Sequence, residues 1–153
     1  MSSDLPVPMF AGRLGFLSNF DTTPFWVPAL DAMVRSGEHA FNALKTTDQG
    51  ARAQVLAQPT PAKAKAVGRR VPLRPGWDDG MRVRAMQATL VAKFSILDLD
   101  ERLQDTGDLH LVETNTWHDQ FWGDCRCGRP ACAQPGVNML GELLMALRAT
   151  PWL

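Results

Sequence analysis

Residues 36–68, SGEHAFNALKTTDQGARAQVLAQPTPAKAKAVG, hold three helix starts in close succession, and this run decides the fold class. Ser36 stands as an N-cap before a helix predicted to reach about Thr47, with Glu38 and His39 in its first turn. Asp48 to Ala57 reads as a second helix. Thr60-Pro61 opens a third, because threonine caps well and proline is tolerated at the first helical position; Gly68 lies near its end. Downstream, Pro72, Pro75 and Gly76 break the chain in VPLRPGW. Asp78–Phe94 is then the longest periodic segment, with Met81, Met86, Leu90, Val91 and Phe94 near helical spacing. Leu99–Asp105 predicts a short helix stopped at Gly107, Leu109–Glu113 alternates like a strand, and Asn138–Arg148 closes as a helix. Upstream of the run, Met9-Phe10, Phe16-Leu17 and Phe25–Val27 are apolar pieces among Gly12, Gly15, Pro24 and Pro28, which predicts short strands or extended loops. Phe25–Val27 pairs with Leu30–Val34 as a hairpin in this scheme. The expected fold is mainly α (α+β), about six helices with a small antiparallel sheet or hairpin. It occupies a single domain, 1–153, whose residues 1–8 are expected to be flexible.

Composition narrows the function classes. The 153 residues are 45% hydrophobic and 21% charged, ordinary for one globular domain with a full core. Sixteen Lys and Arg balance sixteen Asp and Glu. Zero net charge argues against a nucleic-acid coat or a polybasic membrane binder, while leaving room for a local basic patch. No apolar run approaches the ~18 residues of a membrane span, and the N-terminus lacks the pattern of a secretory signal. The three cysteines all fall within residues 125–132 and cannot form a disulfide framework, so the expected setting is a reducing cytoplasm without membrane contact. Gly-x-Gly-x-x-Gly, P-loop, His-Glu-x-x-His and Gly-x-Ser-x-Gly patterns are absent, which sets aside dinucleotide oxidoreductases, P-loop nucleotidases and α/β-hydrolases.

Four segments carry candidate chemistry. In SGEHAFNALK, helical spacing puts Glu38, Phe41, Asn42 and Lys45 on one stripe, with Ala40, Ala43 and Leu44 opposite. Such a stripe lines a ligand pocket or is simply a solvated face; His39 beside it suits a structural hydrogen bond. In TWHDQFWGD, Trp117 and Trp122 flank Asp119, and aromatic neighbours would desolvate that carboxylate and raise its pKa, or the indoles could be core. In RRVPLRPGW, Arg69, Arg70 and Arg74 surround a turn leading to Trp77, either as a phosphate site or as wet surface. In CRCGRPAC, Cys125, Cys127 and Cys132 with His118 or Asp124 could hold a structural zinc. Paired zinc cysteines usually have two residues between them, whereas only Arg126 separates Cys125 from Cys127, so the spacing favours free loop thiols and no metal.

Taken together, GFLSNF (15–20), SGEHAFNALK (36–45), VPLRPGW (71–77), Lys93-Phe94, Leu111–Glu113, DQFWGD (119–124) and GVNMLGELLMALR (136–148) resemble the NADAR family. Its members include N-glycosidases of early riboflavin-pathway intermediates and hydrolases that remove ADP-ribose from guanine. The cysteine loop departs from the family pattern. The resemblance implies an α-rich fold whose pocket gathers Glu38, Lys45, Trp77, Asp119 and Trp122. N-glycosidic cleavage suits these residue types: a carboxylate near the ribose C1′ stabilises an oxocarbenium-like state or activates water, a cation or acid helps the nitrogen leave, and no cofactor is needed. On this basis Glu38 is the expected carboxylate, with Asp119 as second choice. Lys45 is a cationic partner or an amine able to engage the opened sugar. Trp77 and Trp122 stack the base, Arg69, Arg70 or Arg74 hold phosphate, and Asn19 and Asn138 orient the substrate. Phe20, His39 and Gly123 complete the lining. The expected substrate is ADP-ribose linked to a modified guanine, free or in nucleic acid, with transient DNA contact and a functional link to an ADP-ribosyltransferase. A riboflavin-intermediate N-glycosidase, a non-catalytic ADP-ribose or NAD reader and a zinc-dependent interaction protein are the alternatives.

Overall fold

The computed structural model describes residues 10–150; Met9 and the stretch 1–8 expected to be flexible lie outside them. Six α-helices occur among the described residues: α1 (Gly37–Leu44), α2 (Gln49–Leu56), α3 (Pro61–Gly68), α4 (Arg82–Lys93), α5 (Leu97–Asp105) and α6 (Met139–Ala149). With them go an antiparallel hairpin, β1 (Phe25–Val27) and β2 (Ala32–Val34), and a two-residue parallel bridge of β3 (Thr114–Asn115) with β4 (Asp124–Cys125). The class is the mainly α, α+β fold that the sequence predicts. The chain divides into two compact units, one of residues 19–101, the other joining the segment up to Ser18 with the segment from Arg102.

In the 19–101 unit the two predicted caps, Ser36 and Thr60, are made, and Asp48, expected inside its helix, is a third. Ser36 Oγ accepts from the His39 N–H at 3.2 Å, Asp48 Oδ1 from Ala51 at 2.8 Å, and Thr60 Oγ1 from Lys63 at 3.2 Å. Each satisfies an amide that a bare helix start would leave unpaired. α1 packs against α2, α3 and α4, presenting fully buried Ala40 and Ala43. Ala40 belongs to a buried cluster with Phe25, Val27, Val34 and Ala92, and Ala43 to another with Val55, Ala64 and Val71. The hairpin pairs Trp26 with Met33, both exposed, while Phe25, Val27 and Val34 turn inward, as the period of two requires. Its second strand starts at Ala32 rather than Leu30, because Pro28–Leu30 forms a 3-10 turn closed by Asp31 at φ 49°. α4 likewise starts at Arg82 instead of Asp78. Asp79 and Gly80 leave helical geometry, Gly80 at φ 92°, so Trp77–Met81 is a wide irregular turn feeding the helix.

In the other unit two expectations are corrected, a short strand or extended loop at Phe16-Leu17 and a strand at Leu109–Glu113. Gly12–Leu17 is a 3-10 helix, which buries the adjacent side chains Phe16 and Leu17 together where a strand would have turned one of them outward. Leu109–Glu113 has no strand partner among the described residues. Leu111 and Val112 are both buried, and the amide of Asn138 takes the place of a neighbouring strand: its Nδ2 donates to the Leu111 carbonyl and its Oδ1 accepts from the Glu113 N–H. α6 begins after Asn138, and the Phe121 and Trp122 carbonyls accept from its first N–H groups, those of Met139 and Leu140.

Candidate functional site

The stripe on α1 is not a solvated face: Phe41 and Asn42 are buried, Glu38 and Lys45 half-buried. Asn42 Nδ2 donates to both the Glu38 carbonyl and Glu38 Oε2, each at 2.8 Å, which fixes the carboxylate against its own helix. Asn42 itself is confined. A Cβ on Gly68 would stand 2.0 Å from Asn42 Oδ1, so α3 can approach α1 here only through glycine. Phe41 packs on Trp77 with ring centroids 5.4 Å apart at 40°, and the Lys45 ammonium lies 5.7 Å from the Phe41 centroid. Burial pushes the Lys45 amine below the ordinary lysine pKa; the Glu38 carboxylate partly opposes this, and the Lys65 and Arg69 cations add to it.

Glu38, Lys45, Lys65 and Arg69 therefore share one electrostatic neighbourhood, with Phe41 and Trp77 beside them. Phe20 joins it, its ring centroid 5.7 Å from the Lys65 ammonium. The Asn19 carbonyl accepts from the Glu38 N–H at 2.9 Å, while the Asn19 side chain is turned to Met86 Sδ at 3.2 Å. Two expected ligand residues serve the fold instead. His39 is wholly buried with both ring nitrogens taken up, Nδ1 by Ser36 Oγ at 2.7 Å and Nε2 by the Gln58 carbonyl at 2.8 Å. Since a carbonyl only accepts, Nε2 carries the proton of that bond. Burial holds its pKa below the ordinary value, with the Gln58 carbonyl opposing and Arg35 adding to the shift. Arg74 closes the end of α1: its N–H donates to the Lys45 carbonyl at 2.7 Å and its Nη1 to Leu44 at 3.3 Å. Arg52 does the same for Thr46 and Ala43, at 2.7 and 3.3 Å. Cations at a helix C-terminus are favoured by the exposed carbonyls.

In the second unit, Asp119 Oδ1 accepts from the N–H groups of Phe121 and Trp122, at 3.2 and 2.9 Å. Asn115 clamps the same turn from behind, donating to the Asp119 carbonyl at 2.8 Å and accepting from its N–H at 3.1 Å. Trp122 meets Phe121 edge-on at 4.8 Å; Trp117 is exposed. Gly123 has a packing reason of its own, since a Cβ there would stand 2.1 Å from the Glu113 carbonyl. Asn138, with both amide atoms engaged, positions α6. In the cysteine loop, the structure gathers His118, Cys125, Cys127 and Cys132, their ligand atoms all within 4.8 Å of one another. Asp124, the alternative fourth ligand, is engaged elsewhere, by Arg126 Nε at 2.7 Å and the Gly136 N–H at 2.9 Å. Burial pushes its carboxyl up, but those two partners outweigh it and the pKa is lowered.

Sequence reasoning missed Lys65 and the orienting role of Asn42. Lys65, on α3, stands four residues before Arg69, which caps the end of that helix, a spacing that puts both on one face. Asn42 was on the stripe, but its confinement by Gly68 is a contact across 26 residues that no local pattern encodes.

The chain has known relatives. The family model of the NADAR domain matches residues 9–151. N-glycosidase YbiA of Escherichia coli (strain K12) is 34% identical over 137 residues, which are 88% of this chain and 79% of that protein. N-glycosidase YbiA of Shigella boydii serotype 4 (strain Sb227) matches with the same identity and coverage. The NMR structure of the E. coli protein YbiA superposes with a TM-score of 0.76 at 32% identity, covering 93% of this chain and 80% of that one. On sequence and on structure alike, the chain belongs to the NADAR family.

Proposed function

We propose that the substrate of this N-glycosidase is an ADP-ribosyl group on guanine, cleaved at the bond between ribose C1′ and the base nitrogen. As that bond breaks, its electron pair leaves with the base and positive charge builds on the sugar. The Glu38 carboxylate faces C1′ in this scheme, stabilising the charge and then taking a proton from the water that attacks it. The proton passes to the departing nitrogen, so the products are ADP-ribose and unmodified guanine, still in its strand where the substrate is nucleic acid. Lys45, whose amine loses its proton more readily than an ordinary lysine, is the cationic partner, or the nucleophile that engages the sugar once opened. Phe20, 43% exposed, offers a face on which the base can stack. Lys65 and Arg69 suit the diphosphate. Asp119 is the second candidate for the carboxylate role.

The observation that carries this assignment is the Glu38 carboxylate held by Asn42 at 2.8 Å, with Lys45 under the electrostatic influence of that carboxylate and of the Lys65 and Arg69 cations. One cation suffices to assist a leaving nitrogen; two more match a pyrophosphate. A second reading, a ribosylamino-pyrimidine intermediate of riboflavin synthesis, is favoured by the zero net charge, which gives no general affinity for DNA. The test presents both substrates side by side: an oligonucleotide carrying ADP-ribosyl-guanine, and the ribosylamino-pyrimidine. Release of unmodified DNA and free ADP-ribose from the first supports the proposal. Free base from the pyrimidine alone overturns it in favour of the second reading.

A further inference from the structure

We propose that His118, Cys125, Cys127 and Cys132 form a structural zinc site, an assignment independent of the N-glycosidase chemistry. The distances are those of a coordination sphere. Zinc bonds sulfur at about 2.3 Å and imidazole nitrogen at about 2.0–2.1 Å, so a tetrahedral centre sets ligand nitrogen and sulfur about 3.6 Å apart. His118 Nδ1 lies 3.4 Å from Cys132 Sγ, 3.6 Å from Cys127 Sγ and 3.8 Å from Cys125 Sγ. One imidazole nitrogen thus stands nearly equidistant from three sulfurs. A single neutral nitrogen can share at most one good hydrogen bond with such a set, whereas a divalent ion bonds all four atoms at once.

The backbone is arranged to the same end. The β3–β4 bridge fixes Cys125, with the Asp124 N–H on the Glu113 carbonyl at 2.9 Å and the Arg126 N–H on Asn115 at 2.7 Å. Gly128, at φ 82°, turns the chain directly after Cys127, and the Arg129 N–H then donates to Cys127 Sγ at 3.4 Å. An amide aimed at sulfur is the kind of support that neutralises thiolate charge around a metal. Cys132 arrives on the 3-10 turn Pro130–Cys132, and Cys125 and Cys132 are both buried. His118 is held at φ 71°, a conformation unfavourable for a residue with a β-carbon and one that a metal bond offsets. Three thiolates and a neutral imidazole are a common structural zinc set, closed to substrate. The site's place in the chain gives it a task. His118 directly precedes Asp119, so the ion pins the start of the turn whose carbonyls at Phe121 and Trp122 cap α6.

The test is metal analysis of the full chain purified under reducing conditions without chelator, followed by replacement of the metal with cobalt(II). The expected result is one zinc per chain surviving dialysis, and after exchange the intense visible bands of tetrahedral cobalt with thiolate-to-cobalt charge-transfer absorption. Cys127→Ser, the half-exposed ligand, is expected to lose at least nine-tenths of the zinc. Should that variant fail to fold, the cobalt spectrum of the parent chain still reports the ligand set. Zinc near zero together with no cobalt charge-transfer band overturns the proposal, as does full zinc content in a folded Cys125→Ser/Cys132→Ser double variant.

Discussion

Glu38→Gln separates charge from shape at the candidate centre. A glutamine has the same length, and its carbonyl oxygen can still accept from Asn42 Nδ2, which lies 2.8 Å from the present carboxylate. A hydrogen bond to a charged group contributes about 1 kcal/mol more than one between neutral groups, so the fold loses roughly that amount. For a domain of this size that is a Tm lower by about 2–4 °C. Turnover has much more at stake. One acid/base group supplies about 100- to 10,000-fold, so kcat is expected to fall at least ~100-fold, equivalent to about 2.7 kcal/mol of barrier. The substitution also removes the single carboxylate that holds the Lys45 pKa up, leaving burial and the Lys65 and Arg69 cations unopposed. The Lys45 amine should therefore become reactive at a lower pH than in the parent. The assay is single-turnover release of ADP-ribose with thermal melts of both proteins, and amine labelling of Lys45 across pH. Near-parental turnover in a protein with a parental melt would refute the role given to Glu38, and Asp119→Asn would then be the variant to lose activity.

Other expectations follow from the same geometry. If Lys45 engages the opened sugar, borohydride added during turnover should trap an adduct on that residue, detectable by intact-mass measurement; Lys45→Arg should give none. Gly68→Ala places a methyl 2.0 Å from the present position of Asn42 Oδ1, and overpacking of this kind costs about 1–3 kcal/mol. It should lower both Tm and turnover, because the Asn42 amide that holds Glu38 has to move. Ser36→Ala removes the α1 cap and the hydroxyl on His39, at a cost of about 1–2 kcal/mol read by denaturant midpoint. His39 gives a pH signature. Its folded pKa is below the unfolded value of 6.5, so the unfolded chain binds the extra proton first and stability is lost as pH falls through 6.5 toward the folded value. Melts between pH 7.5 and pH 5.5 should show this decline, and His39→Gln should flatten it.

What could be read in advance was whatever a few consecutive residues decide. Ser36 and Thr60 cap their helices within three residues, and Pro61 and Gly107 act on their own backbone, so those boundaries were visible. The inward turn of Ala40 and Ala43 was visible for the same reason. Leu109–Glu113 misled because alternation marks an extended chain but not its partner, and here the partner is a side chain, Asn138. The start of α4 was obscured by Asp79 and Gly80, whose irregular turn leaves the apolar spacing downstream intact. At the site, residue types pointed to Glu38 and Lys45, but not to Lys65, which another helix delivers. The cysteine loop was the hardest to read. Its spacing is unusual, and the fourth ligand stands seven residues upstream of the first thiol at a backbone conformation that histidine rarely adopts.

The bracket that Arg74 makes on the last carbonyls of α1 reaches further than a helix end. Three residues after Arg74 comes Trp77, whose ring rests on Phe41 of that helix. The indole is thus tethered to α1 at two levels, by its ring directly and through the strap leading into it. A guest molecule that shifts the indole must tug on the same carbonyl row from which the Lys45 side chain departs. The Trp77 indole and the Lys45 amine travel as one piece, so their spacing is preset before any guest arrives.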